Sequence, residues 1–133
     1  MADRPTDYWR EGIEDDARDV ASGTLDPECA VMAGLFPESL LSRTDEVLDT
    51  FESDVSLLSD PSDEQVFRVV KRVVLALNTI NDDHGGAAYE TGEREQLCRY
   101  IDDTIEESDV DVVALTARHG LSRWALTDQW RRW

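Results

Sequence analysis

The chain has 133 residues and a mass of 15.0 kDa, a size that suits one domain with one core. It carries 30 Asp and Glu residues against 13 Lys and Arg residues, a formal net charge of −17. No stretch approaches the roughly 18 apolar residues of a membrane span, and the first residues lack the basic and apolar regions of a secretory signal. We therefore expect a cytoplasmic protein without a membrane partner.

The negative charge is concentrated in the first half of the chain. Residues 1–66 contain 18 Asp and Glu against 4 Arg, a net charge of −14, whereas residues 67–133 contain 12 Asp and Glu against 9 Lys and Arg, a net charge of −3. Such an imbalance indicates either a basic partner for this half or adaptation to salt. Lys71 is the only lysine, which agrees with salt adaptation and equally with a coding bias.

The first two predicted helices are amphipathic and acidic. The first helix opens at Thr6 or Asp7, its apolar residues are spaced by 4, 4 and 3 positions, and its other face is acidic. The apolar face holds Trp9, Ile13, Ala17 and Val20, and the acidic face holds Glu11, Glu14, Asp15, Asp16 and Asp19. A short apolar segment around Cys29–Leu35 is predicted to form one or two turns. A second helix then starts near Pro37, and its apolar residues step by 3 or 4 from Leu41 to Leu58.

The third helix is predicted to be the central one. Ser62–Gln65 forms a capping box, and the helix that follows, over 62–81, is apolar around much of its circumference. Thr91 is predicted to cap a fourth helix, and shorter segments follow at Val112–His119 and Leu121–Trp133. The sequence predicts an all-α, single-domain bundle of five or six helices over residues 1–133. The predicted core is Trp9, Ile13, Leu48, Phe51, Val66, Val70, Val73, Leu77, Leu97, Ile101 and Ile105.

A polar block spans the end of the central helix and the start of the next one. Its members are Asn78, Asn81, Glu90, Thr91, Glu93, Arg94 and Glu95. We interpret it first as a junction in which the two asparagines bond free carbonyls or the next loop and Arg94 pairs with a nearby carboxylate. A contact site for a small ligand or a protein, or an active site, are the alternatives.

The same block resembles that of a group of small acidic bacterial proteins with the pattern A-L-N-x-x-N…E-T-x-E-R-E-x-L-C-x-x-I. Similar proteins also tend to end in a segment like Thr127–Trp133. The resemblance covers about a third of the chain. It implies a kinship with proposed immunity or protective proteins and no particular activity.

The sequence carries no recognisable catalytic or metal-binding motif, so we expect no cofactor and no metal, and an enzyme is the less favoured interpretation. Six side chains near the glycine loop could surround a divalent cation, but their spacing matches neither an EF-hand nor H-E-x-x-H. They are Asp82, Asp83, His84, Glu90, Glu93 and Glu95. Cys29 and Cys98 are far apart in sequence, and we expect both to be small apolar core residues.

The last segment suggests a helix-turn-helix over 112–133, with Gly120 at the turn and Ser122–Arg123 opening a recognition helix. A net charge of −17 opposes DNA binding, so nucleic acid is not an expected partner. The alternative is that aromatic and apolar residues pack this segment onto the bundle while its arginines pair with the acidic half. The packing residues would be Trp124, Leu126, Trp130 and Trp133.

The sequence favours a non-enzymatic acidic protein that binds a basic protein, in the form of an immunity-type inhibitor of a basic toxin that acts on nucleic acid. The predicted binding surface comprises Asp15, Asp16, Asp45, Glu46, Asp49 and Glu52. Three alternatives stay open: a soluble protein whose acidity is adaptive, a small enzyme that uses Glu90–Glu95 with Arg94, and a DNA-binding protein that uses 112–133. The identity of the partner and the oligomeric state are not determined by the sequence.

Overall fold

The computed structural model describes residues 2–29 and 36–133, and these contain five α-helices and no strand. The helices are α1 (Pro5–Ser22), α2 (Glu38–Ser56), α3 (Asp63–Asp83), α4 (Thr91–Glu107) and α5 (Val112–Arg118), with a 3₁₀ turn at Pro27–Cys29. The prediction of an all-α bundle is confirmed. The turns predicted around Cys29–Leu35 and the core role of the Cys29 side chain lie outside what is described.

The helix ends follow local chemistry, with two corrections. The capping box of α3 is confirmed, because Gln65 N donates to Ser62 Oγ over 3.2 Å and Ser62 N donates to Gln65 Oε1 over 2.9 Å. Helix α1 begins at Pro5 rather than after a Thr6 or Asp7 cap, since the fixed φ of proline suits the first helical position. Helix α4 begins at Thr91, so Glu90 occupies the cap position, without a side-chain cap bond.

Helix α3 is the central element, and α2 packs along its length. Ten of the eleven predicted core residues are buried, while Ile13 is only half-buried and packs against the core margin. Each buried aliphatic or aromatic side chain contributes about 1.5–3 kcal/mol relative to an exposed one. The buried hydrophobic residues of all five helices form one cluster. That a single domain spans residues 1–133 stays a prediction.

The C-terminal segment, residues 119–133, forms turns and contains no helix, so the helix-turn-helix interpretation is wrong. Asn78 provides the physical reason, because its side chain binds the Trp130 carbonyl over 2.8 Å and the Arg132 N–H over 3.0 Å. A helix would use those main-chain groups internally. Leu126 and Trp133 are buried and Trp130 is half-buried, as expected of a segment packed on the bundle.

Two further expectations for this segment are wrong. Trp124 is 61% exposed, because its ring stacks on the Arg123 guanidinium, 4.1 Å away, rather than on the core. Four arginines of the segment and the preceding helix do form ion pairs, but Arg118 alone pairs with a residue of the acidic half, Asp63. Arg123 pairs with Asp102 and Glu106. Arg131 pairs with Asp128, and Arg132 pairs with Asp82. Among the described residues, no helix is both long and apolar enough to cross a bilayer.

Candidate functional site

Asn81 closes the loop between α3 and α4, as the junction hypothesis predicts. The side chain is 1% exposed, and its Nδ2 donates to the Gly86 carbonyl over 3.1 Å. Its Oδ1 accepts from Ala88 N over 2.8 Å and from Tyr89 N over 3.2 Å. The amide therefore satisfies three main-chain groups of a loop whose two glycines, Gly85 and Gly86, have positive φ.

Asn78 has a different task from the one predicted, since it holds the C-terminal segment rather than the α3–α4 loop. It lies one turn before Asn81 on α3 and is 2% exposed. Its amide accepts from Arg132 N and donates to the Trp130 carbonyl, which fixes the last residues across the helix. The two asparagines thus tie two separate segments to one end of the central helix.

Tyr89 is a central residue of this junction that sequence reasoning missed. Its ring lies 6.1 Å from Trp9 and 5.6 Å from Trp133, measured between centroids, and its hydroxyl is 2.6 Å from Thr44 Oγ1. Burial raises the pKa of the Tyr89 hydroxyl to about 12. The loop that Asn81 orders therefore delivers an aromatic ring that joins α1, α2 and the C-terminal segment.

Arg94 does not pair with a carboxylate, so that part of the junction hypothesis is wrong. Its guanidinium forms no ion pair with any described residue, although Glu90, Glu93 and Glu95 surround it in sequence. Successive helical residues project about 100° apart, so the neighbours Glu93 and Glu95 are poorly placed to pair with it, and Glu90 lies in extended backbone before the helix. Half-buried, Arg94 instead lines a groove beside the C-terminal segment.

Three of the six predicted acidic binding residues hold α1 against α2. Arg10 Nη1 lies 2.6 Å from Asp45 Oδ2, and Arg4 forms ion pairs with Asp49 and Glu52. Burial favours a higher pKa for Glu52, but the hydrogen bonds from Arg4 and Tyr100 together outweigh it, so the pKa is lowered. Asp45 and Glu52 are half-buried and paired with arginines of the α1 end, so part of their charge is neutralised within the fold.

Exposed acids occur on several elements, and five of them form a row along the outside of α1. We call the set Asp7, Glu11, Glu14, Asp15 and Asp19 the α1 acidic face. Arg18 lies on the same side and pairs with Asp15, whereas the other four acids have no ion pair with any described residue. Asp16 is half-buried and has a partner, and Glu46 is exposed on α2. A binding role for the predicted acids stays a prediction.

The two histidines and Cys98 are engaged in structural contacts. His84 bonds the Ile80 carbonyl through Nδ1 over 2.8 Å and lies 3.0 Å from Ser39 Oγ through Nε2. No carboxylate in the described part of the chain bonds its ring, so the contact lacks the charged third member of a catalytic triad. His119 binds Asp63, and burial raises the pKa of the Cys98 thiol.

One group of carboxylates is close enough to suggest a cation site. Asp102, Asp103 and Glu106 offer oxygens within 4.8 Å of one another. A guanidinium already occupies the cluster, because Arg123 lies 2.9 Å from Asp102 and 2.5 Å from Glu106. Arg123 thus neutralises part of the charge of the cluster and fastens the C-terminal segment to α4, while Asp103 pairs with Arg99.

Comparisons of this chain with family models, with curated proteins and with solved structures give no match. The resemblance to small acidic bacterial proteins stays a prediction.

Proposed function

We propose that the protein is a non-enzymatic binding protein that receives a basic protein on the α1 acidic face. The specific form we propose is an immunity-type inhibitor of a basic toxin that acts on nucleic acid. The observation that carries the proposal is a row of exposed carboxylates, four of which lack an ion pair within the described residues, on a chain of net charge −17. Unneutralised surface carboxylates steer cationic proteins and raise their association rate.

The dimensions of the face suit a protein partner. Asp7 and Asp19 are twelve residues apart, so the carboxylates extend along about 18 Å of helix. Tyr8 is 50% exposed beside Asp7, and its hydroxyl donates to Asp3 over 3.2 Å. Tyrosine is enriched among the residues that dominate binding energy at protein interfaces. An acidic row with a half-exposed aromatic ring at one end therefore combines electrostatic attraction with an apolar contact.

The other side of α1 holds the face in place. Trp9 is 3% exposed, its ring stacks on Phe36 at 5.1 Å between centroids, and its Nε1 donates to Gln96 over 2.7 Å. The pairs of Arg4 and Arg10 with α2 add a charged seam. A face presented by an anchored helix loses less conformational entropy on binding than a mobile segment would. Two of the predicted acids, Asp45 and Glu52, thus help to fix α1 on α2, on the side opposite to the proposed interface.

A toxin that acts on nucleic acid needs a basic surface to hold phosphates. A row of carboxylates that occupies this surface would block access of the nucleic acid, which is the physical basis of the inhibitory role. The first experiment is a pull-down of basic nucleases encoded beside the gene, at low and high salt. We expect capture at low salt that high salt abolishes.

The site is tested with two variants of equal net charge. The first, Glu11→Gln/Glu14→Gln/Asp19→Asn, removes three charges from the α1 acidic face. The second, Asp60→Asn/Glu64→Gln/Asp109→Asn, removes three charges elsewhere. We expect the first variant alone to lose capture. Equal capture by both variants, or no captured product at low salt, would contradict the proposal and leave the acidity as an adaptation.

A further inference from the structure

A groove of about 310 Å³ lies between α4 and the C-terminal segment, and none of the α1 acidic face lines it. Helix α4 contributes Arg94, Cys98 and Arg99 to its lining, and the C-terminal segment contributes Trp124, Leu126 and Arg131. This volume lies at the lower end of the range typical of small-molecule sites. The groove combines cationic groups with apolar surface, and the kind of ligand that it suits depends on which of these cations already have a partner in the chain.

Arg94 is the cation of the groove whose charge is not matched. Ten of the 13 Lys and Arg residues form ion pairs with carboxylates. Among the described residues the three without an ion pair are Arg68 and Lys71, which are exposed, and Arg94, which is half-buried. A partly desolvated guanidinium is stabilised by an anion with oxygens that accept its N–H bonds. No carboxylate of the described residues lies within ion-pair distance of Arg94, although Glu95 and Asp128 line the same groove, so the guanidinium can still accept an external anion.

The other two arginines and the thiol of the groove have partners within the chain, although the buried Nε of Arg131 has no hydrogen-bond partner among the described residues. Arg131 lies 2.9 Å from Asp128 and donates to the Trp133 backbone oxygen over 2.8 Å. Arg99 pairs with Asp103 over 3.3 Å. Cys98 lies 3.4 Å from Thr127 Oγ1, and its raised pKa keeps the thiol neutral. Arg94 is thus the one lining cation left to bind an anion.

The groove also offers an apolar wall. Trp124 is 61% exposed, and the guanidinium groups of Arg123 and Arg99 lie 4.1 Å and 5.5 Å from its ring centroid. These cation–π contacts hold the ring while leaving much of its surface accessible. Leu126 lies below, at 2% exposure. A ligand that reaches Arg94 can therefore pack an apolar body chiefly on the indole, with Leu126 forming the floor of the groove.

We propose that this groove binds a small carboxylate with an aromatic or apolar body. The carboxylate accepts two hydrogen bonds from the Arg94 guanidinium, and the body packs against Trp124 and Leu126. A single negative charge is favoured over a doubly charged phosphate, because Glu95 and Asp128 also line the groove and the whole chain is strongly negative. The site goes beyond the proposed binding of a basic protein and is independent of it.

The test is a titration of the full chain with 2-naphthoate, followed by the indole N–H resonance of Trp124 in two-dimensional NMR spectra. Parallel titrations use 2-naphthyl phosphate and the neutral 2-naphthamide. We expect saturable binding of 2-naphthoate, with the amide at least about tenfold weaker because it lacks the charge that Arg94 binds.

Two arginine variants assign the site. Arg94→Gln is expected to weaken 2-naphthoate about tenfold or more, whereas Arg68→Gln, which removes an exposed unpaired arginine, is expected to leave the affinity within about twofold. Arg94→Lys, which keeps the charge but loses the two-pronged geometry, should fall between wild type and Arg94→Gln. An unperturbed spectrum away from the groove shows that each variant is folded.

Three outcomes would overturn the proposal: no saturable shift of the Trp124 resonance, equal affinity of wild type and Arg94→Gln for 2-naphthoate, or tighter binding of the phosphate than of the carboxylate. None of these outcomes bears on the α1 acidic face.

Discussion

Replacement of Asn81 by alanine removes the three side-chain hydrogen bonds that this residue makes to the α3–α4 loop. The lost partners are the Gly86 carbonyl and the N–H groups of Ala88 and Tyr89. Each bond contributes about 1 kcal/mol net, and a main-chain group left buried without a partner costs about 1–3 kcal/mol. The higher helix propensity of alanine returns about 0.5 kcal/mol. We therefore expect Asn81→Ala to lower the free energy of unfolding by about 2–4 kcal/mol.

The assay is urea denaturation followed by circular dichroism, with thermal unfolding as a second measure. A loss of this size corresponds to a fall in Tm of about 10 °C for a domain of this length. Thr79→Ala is the matched control, because Thr79 is exposed on the same helix, and its effect should stay within about 0.5 kcal/mol. If Asn81→Ala were no more destabilising than Thr79→Ala, the loop would not depend on this side chain.

Three further predictions concern the core, a buried ion pair and acid stability. Leu77→Ala should cost about 3 kcal/mol in urea denaturation, because Leu77 is 0% exposed and a cavity would remain. Arg123→Gln should cost about 3 kcal/mol in the same assay, since it leaves the Asp102 carboxylate, 4% exposed, without its guanidinium. The hydrogen bonds from Arg118 and His119 lower the pKa of Asp63 to about 2, below the value of about 3.9 in the unfolded chain. The stabilising effect of these bonds is therefore present above about pH 4 and is lost as the pH falls towards 2. Asp63→Asn should therefore flatten the dependence of unfolding free energy on pH over that interval.

Hydrophobic spacing was sufficient to predict the five helices and most of the core, whereas the predicted caps at Thr6 or Asp7 and at Thr91 and the predicted helical segment after Gly120 were wrong. The capping box at Ser62 and the apolar circumference of α3 are local properties of the sequence, and both are present in the structure. Ile13 has the right spacing but lies at the margin of the bundle, where only packing against neighbours decides burial. Tyr89 was missed because it follows a glycine loop and belongs to no periodic segment.

The partners of polar side chains were less predictable, since they depend on distances between elements. Asn81 binds the neighbouring loop, as its position suggested, but Asn78 binds residues more than fifty positions away. Arg94 was expected to pair with adjacent glutamates, but neighbours in sequence on a helix project about 100° apart, and no described carboxylate lies within ion-pair distance of it. The acids of α2 were predicted to belong to a binding surface. Ion pairs of Arg4 with Glu52 and of Arg10 with Asp45 neutralise part of this charge within the fold.

The measurement that tests the central claim most directly is the association rate constant with the basic partner captured in the pull-down. It is compared at low and moderate ionic strength for wild type and for the two variants with three neutralised acids. Loss of charge at a steering surface lowers the association rate and its salt dependence, while equal loss elsewhere has a smaller effect. We expect Glu11→Gln/Glu14→Gln/Asp19→Asn to slow association about tenfold or more at low salt. Equal rates for this variant and Asp60→Asn/Glu64→Gln/Asp109→Asn would contradict an interface on α1.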